Sequence, residues 1–161
     1  MSSEYDDLFK KEIYAWWTNI QHDSGGLSRL KHQSDILGIQ AVECFYDLVR
    51  ALPGEDVDCL SAIAMVISHI EENSPKTVAE LMGSKKQGSD EKTVSELRFN
   101  KLISMDLWSA SRELIRMLPL VEKNANIKEL SLDLKNWDKE NQFTKKRWLN
   151  QYYIGKKKVN E

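Results

Sequence analysis

Residues Val57 to Ile70 read VDCLSAIAMVISHI, and this stretch decides the fold. Val57, Leu60, Ile63, Ala64, Ile67 and Ile70 recur three and four residues apart, and the positions between them are mostly apolar too. A helix that is apolar nearly all round must be enclosed by other elements. The stretch therefore predicts a buried helix at the centre of the first half of the chain, ending at Asn73-Ser74-Pro75, where the residue before proline leaves the α region.

Working outward, Phe9, Ile13, Trp16 or Trp17 and Ile20 form one helical stripe that stops at His22-Asp23-Ser24-Gly25-Gly26. Adjacent Trp16 and Trp17 cannot share one face. A short helical turn is expected around Leu27 to His32. Ile39, Val42, Phe45 or Tyr46, Val49 and Leu52 then mark a helix stopped by Pro53-Gly54. On the other side of the central helix, a short helix from Thr77 to Met82 reaches Gly83. Ser84 to Lys92, SKKQGSDEK, carries no large apolar residue and reads as a flexible linker. Val94, Leu97 and Leu102 suggest the next helix. Asp106 can cap another that carries Leu107, Ala110, Leu114, Ile115 and Leu118 and is ended or kinked by Pro119. Asn126 with Glu129 resembles a capping box ahead of Ile127, Leu130, Leu134 and Trp137, and a last helix carries Phe143, Trp148 and Tyr152.

The expected fold class is all-α: a compact helical bundle of about eight or nine helices in two lobes. One domain spans residues 1–161, with an N-terminal lobe at about 1–83, a linker at 84–92, a C-terminal lobe at about 93–155 and a basic tail at 156–161. The chain has 161 residues, 41% hydrophobic and 30% charged, with five tryptophans, three prolines and seven glycines. That is too apolar for disorder and too poor in turn residues for a sandwich or barrel. No apolar run approaches the ~18 residues that span a bilayer, and Met1 to Lys11 is acidic where a secretory signal would be basic, then apolar. A cytoplasmic protein with no membrane partner is expected, its Cys44 and Cys59 reduced within apolar helical patterns.

The sequence carries no catalytic constellation. His22, His32 and His69 are isolated, which argues against a metal. Gly83 to Ser89, GSKKQGS, has glycines spaced as in a phosphate loop but no lysine after the second. Neither cysteine has a convincing base partner, and no cofactor is expected. Thr77 to Gly83, TVAELMG, and Thr93 to Leu97, TVSEL, echo a helix-turn-helix DNA reader. Nine residues separate Gly83 from Thr93, however, where that motif takes ~3 to 4.

Charge points elsewhere. Residues 1–84 carry six basic and fourteen acidic side chains, net -8, and residues 85–161 carry seventeen and eleven, net +6. Such a split suits a protein that faces a polyanion on one side. Arg98 and Lys101 are three apart, Arg112 and Arg116 four apart, and Lys145, Lys146 and Arg147 contiguous. Each group could place a basic edge on one helix, and a groove of such edges would bind phosphates without reading bases. Solvated helix faces are the alternative for any one pair.

Taken in order, these elements resemble the CasB family, the small subunit of type I-E CRISPR Cascade. Its members open with a tryptophan-bearing helix, then a glycine and a Leu-Arg-Arg-like element, matched by Trp16, Trp17, Gly26 and Leu30-Lys31-His32. An Arg-Phe pair before paired aliphatics follows at Arg98-Phe99 with Leu102-Ile103, and a second Leu-Arg-Arg element at Leu114-Ile115-Arg116. A Leu-rich helix ending at Trp137 and a basic stretch leading from Lys145-Lys146-Arg147-Trp148 into Tyr152-Tyr153 complete the series. The resemblance covers nearly the whole chain. It departs at Lys31-His32, where the family has an arginine pair, and at the second pair, which keeps only Arg116.

The resemblance implies a non-catalytic subunit that stabilises the R-loop of guide RNA, target DNA and displaced strand. It implies partnership with the other Cascade subunits and with a second copy packed head to tail. It also singles out Lys31, His32, Arg98, Arg116 and Lys146 as nucleic-acid contacts, within the wider set that includes Lys101, Arg112, Lys145 and Arg147. A helix-turn-helix regulator and a protein-interaction scaffold without nucleic-acid contact are the competing readings.

Overall fold

The computed structural model describes residues 3–155, so the basic run expected at 156–161 lies outside the described residues. In chain order the helices are α1 (Glu4–Ile20), α2 (Ser24–Lys31), α3 (Ile36–Gln40), α4 (Phe45–Ala51), α5 (Val57–Ile67), α6 (Val78–Gly83), α7 (Glu96–Ile103), α8 (Leu107–Met117), α9 (Ile127–Lys135) and α10 (Phe143–Tyr153). A 3-10 turn, Leu118–Val121, follows α8 with Pro119 in its first positions, so proline stops the helix as expected. The fold is all-α, with one addition that periodicity did not signal. Two short strands, β1 (Glu72–Asn73) and β2 (Asn124–Ala125), pair in parallel, with Glu72 opposite Asn124 and Asn73 opposite Ala125.

Helix α5 is buried on every side from Leu60 through Ile67. The small side chains of Ser61, Ala62 and Ala64 let neighbours approach closely, while Ile63, Met65, Val66 and Ile67 fill the space between them. It packs against α2, α3 and α4 from the first half and against α8 and α9 from the second. It is thus the axis of the molecule and not of its first half alone. Burying each such Leu, Ile or Val contributes about 1.5–3 kcal/mol.

Helix α1 lays Phe9, Ile13, Trp16, Trp17 and Ile20 inward, packing mainly on α9. The paired tryptophans do diverge: the Trp16 indole N–H donates to the Cys44 carbonyl at 2.9 Å and that of Trp17 to the Ile70 carbonyl at 3.1 Å. Helix α10 lies on α6 so tightly that a Cβ at Gly83 would come within 2.1 Å of the Tyr152 carbonyl oxygen. Phe99 stacks on Tyr152 at 4.0 Å between ring centres, and Trp148 meets Trp137 edge-on at 4.9 Å.

Four local expectations are corrected. Gly25 and Gly26 do not end a helix but lie in the first turn of α2, because the Asp23 side chain accepts from the Gly26 N–H at 3.0 Å and caps that helix. The stripe from Ile39 to Leu52 is two helices, α3 and α4, broken at residues 41–44. Leu97 and Phe143 are 76% and 72% exposed. Phe99 and Leu102 take the inward face of α7, and Thr144, Trp148 and Tyr152, four apart, take that of α10, turning those two outward.

Residues 84–93 close on themselves: Thr93 N–H donates to the Ser84 carbonyl at 2.7 Å, Lys86 N–H to Glu91 at 2.8 Å, and Gly88 supplies a positive φ of 75° at the tip. The Lys92 ammonium reaches the Gly83 carbonyl at 3.1 Å and the Tyr152 carbonyl at 3.4 Å, where two helix C-termini meet.

Candidate nucleic-acid interface

Helix α2 ends at Lys31, and α8 begins beneath an N-cap: the Asp106 carboxylate accepts from the Ser109 N–H at 2.8 Å. Arg112 and Arg116 are four apart on α8, hence on one face. Because α2 and α8 both pack on α5, Lys31 from the first half of the chain meets Arg112 and Arg116 from the second. Together with Gln33, Ser34, Met65, His69 and Ile115 they line a cleft of 190 Å³. This grouping, contributed by three helices, is where the two halves of the charge pattern converge.

A second hollow lies beside it, lined by Ser95, Leu97, Arg98, Lys101, Met105 and Glu113. Glu113 joins the two, since its carboxylate accepts from Arg98 at 3.0 Å and from Arg116 at 3.1 Å. Burial pushes this carboxyl up, but hydrogen bonds and charge from both arginines outweigh it and hold it below the usual range. Across both hollows the lining holds five cations, Lys31, Arg98, Lys101, Arg112 and Arg116, against one carboxylate. Such a face would attract a phosphate backbone and offer it forked guanidinium donors.

The remaining predicted residues go elsewhere. His32 is exposed, and its ring Nδ1 lies 2.7 Å from the Ser28 carbonyl of its own helix. The contiguous Lys145-Lys146-Arg147 run is split, because successive residues on a helix point about 100° apart. Lys145 turns to the Met105 carbonyl at 3.0 Å and sits over the Trp137 ring. Arg147 pairs with Asp133, a carboxylate only 2% exposed that also accepts from the Trp148 indole at 2.8 Å. Lys146 is exposed and has no ion-pair partner among the described residues.

His69, which looked isolated in the sequence, is the site residue that pattern reading missed. Its signal is spacing from the buried helix: it lies four residues beyond Met65, which lines the same cleft. Burial, then the positive charges of Lys31 and Lys123, push its pKa below the ordinary histidine value.

A separate cleft of 540 Å³ is acidic, with Glu55, Asp56, Asp58, Asp106 and Asp138 in its wall. Several of these cap helices: Asp56 accepts from the Asp58 N–H at 2.8 Å, and Asp138 from the Leu107 N–H at 3.0 Å. It would repel a polyanion. Among the described residues no group of three or more His, Cys, Asp or Glu could hold a metal ion, and no helix is long and apolar enough to cross a membrane. The α6–α7 segment does not form the tight pair of a helix-turn-helix reader: the hairpin of residues 84–93 separates the two, and the main neighbour of α6 is α10.

Compared with known proteins, residues 28–153 match the family model described as CRISPR-associated protein Cse2. No curated protein and no solved structure matches.

Proposed function

The chain belongs to the CRISPR-associated Cse2 family, the CasB small subunit of type I-E Cascade in CRISPR defence, and from that premise we propose that it binds nucleic-acid backbone without sequence preference and stabilises the opened R-loop. The observation that carries this reading is the meeting of Lys31, Arg112 and Arg116 around one cleft, continued through Glu113 to Arg98 and Lys101. Guide RNA, target DNA and the displaced strand are its ligands, contacted at phosphates. R-loop formation exchanges one duplex for another at near balance, so modest backbone contacts are enough to tip it.

In this reading the chain is a cytoplasmic, non-catalytic subunit with no cofactor, held beside the other Cascade subunits and a second, head-to-tail copy of itself. His32, Lys146 and Lys145 lie outside the main basic cleft and contribute at most peripheral contacts, while Arg147 serves the fold.

The test is reconstitution of the complex with the wild-type chain and with a Lys31→Ala, Arg112→Ala, Arg116→Ala triple variant. The expected outcome is intact assembly, a shortened R-loop lifetime, and a salt dependence of strand binding whose log–log slope falls by roughly 2 to 3. An unchanged slope with normal assembly would remove the interface. Recovery of protein partners without any nucleic acid would favour the scaffold reading.

A further inference from the structure

We infer that His69 is a proton-linked donor to a nucleic-acid phosphate seated in the cleft between α2 and α8, so that backbone binding at this face strengthens as pH falls. The inference rests on the proposed function above and adds a residue and a regulation to its site.

His69 follows the C-cap of α5, and its backbone N–H donates to the Val66 carbonyl at 3.1 Å, which fixes the residue just beyond the end of this buried helix. Its half-buried side chain lines the cleft with Lys31 of α2 and with Arg112 and Arg116 of α8. The ring makes no hydrogen bond to any described residue, so its donors and acceptors are free for a ligand.

Lys31 faces His69 from α2. Lys123 faces it from the segment after the 3-10 turn and is paired with Glu71 at 3.5 Å. Arg112 and Arg116 face the cleft from α8, the latter held by Glu113. In the protein alone burial, then the positive charges of Lys31 and Lys123, hold the His69 pKa below the ordinary histidine value.

A phosphate lodged among Lys31, Arg112 and Arg116 reverses the sign of the local field. The imidazolium then gains an ion pair and a second N–H donor. A group whose pKa rises on binding takes up a proton as it binds. Affinity is therefore greatest below the free-state value and falls by up to about tenfold per pH unit until the bound-state value is passed. Above that point it is flat.

The experiment measures binding of a labelled, mixed-sequence single-stranded oligonucleotide to the full chain by fluorescence anisotropy, from pH 5.5 to 8.0 at fixed ionic strength. Wild type is compared with His69→Gln, with the Arg112→Ala, Arg116→Ala pair, and with His22→Gln, which removes a histidine outside the cleft. Ring resonances of His69 are titrated by NMR with and without saturating oligonucleotide. The expected result is that wild type and His22→Gln lose about tenfold in affinity as pH rises through the linked window. His69→Gln binds with little pH dependence and the arginine pair binds weakly at every pH. The His69 titration should move upward on binding. Equal pH slopes for wild type and His69→Gln, or an unmoved His69 titration, would overturn the inference while leaving the interface standing. Absence of binding by wild type at every pH would instead remove the interface and the inference with it.

Discussion

The two carboxylate oxygens of Glu113 are divided between Arg98, which donates from Nε at 3.0 Å, and Arg116, which donates from Nη1 at 3.1 Å. One acidic side chain thus spaces two arginines on different helices, α7 and α8, and sets how much positive charge the face presents.

Replacing Glu113 with Gln leaves one oxygen to accept from one arginine and releases the other to solvent or to phosphate. Oligonucleotide binding should tighten roughly threefold and its salt slope should steepen by about 1. Both arginines are more than a third exposed, so the stability lost is under about 1 kcal/mol. Anisotropy titrations at several salt concentrations check the first part and thermal melts the second. Weakened binding would mean that Glu113 chiefly orders the arginines and does not restrain them.

Asp133 gives a pH dependence of opposite sense to ordinary acid denaturation. Burial pushes its carboxyl up to about 6, although Arg147 and Trp148 both favour the charged form. The folded state therefore holds this proton to higher pH than the unfolded chain does. That contribution to stability is fully present below about pH 4 and fades as pH rises to about 6, by roughly 3 kcal/mol. Urea unfolding at pH 7, 6 and 5 should show the wild type gaining on an Asp133→Asn variant as pH falls. A constant gap would mean that Asp133 does not titrate there. Asp133→Ala, which strands the Trp148 N–H and the Arg147 charge, should lower stability by about 3 kcal/mol at pH 7, and by more as pH falls because it too lacks the titrating carboxyl.

Three adjacent basic residues should behave in two ways. Alanine at Arg147 or Lys145 removes a contact that holds α10 in place, to Asp133 or to the Met105 carbonyl, and should lower the melting temperature by a few degrees. Alanine at Lys146 should leave it unchanged within about 1 °C. Equal melting temperatures for all three would contradict the division of roles.

Gly83→Ala forces a Cβ to within 2.1 Å of the Tyr152 carbonyl oxygen, where a backbone atom cannot swing aside. Helices α6 and α10 must separate, at about 2 kcal/mol. Hydrogen exchange should rise in α10 and in the hairpin of residues 84–93, while the amides of α5 stay protected. Uniform loss of protection would show that the α6–α10 contact is integral to the whole core.

Both cysteines should resist alkylation at pH 7.5 until the protein unfolds. Cys59 is pushed up to about 11 by burial and by Glu55 and Asp56, and Cys44 is raised by burial and by Asp23 and Asp47. Rapid modification of the native protein by iodoacetamide would refute this.

Much of the fold was legible because its causes are local. Phe9, Ile13, Trp16 and Ile20 announce the inward face of α1, Asp106 the start of α8, Asn126 the start of α9 and Pro119 a stop, and the structure uses each in that way. The helix across Gly25 and Gly26 was not legible, because a capping carboxylate three residues back overrides glycine's weak helix preference. The pairing of β1 with β2 joins positions 52 residues apart, beyond the reach of any periodic pattern.

The candidate site divides in the same way. By itself the sequence determined that the fold is helical around Val57 to Ile70, that positive charge gathers in the second half, and that Arg112 and Arg116 share a helix face, since each follows from a 3.6-residue repeat. Only the tertiary structure decided that Lys31 joins those arginines, that His69 stands among them, that Arg147 turns inward to Asp133, and that Glu113 ties two clefts together. Those relations depend on how α2 and α8 dock on α5 and how α10 docks on α9 and α6. Such docking is set by side-chain volume and close packing across the whole core, which no spacing along the chain records.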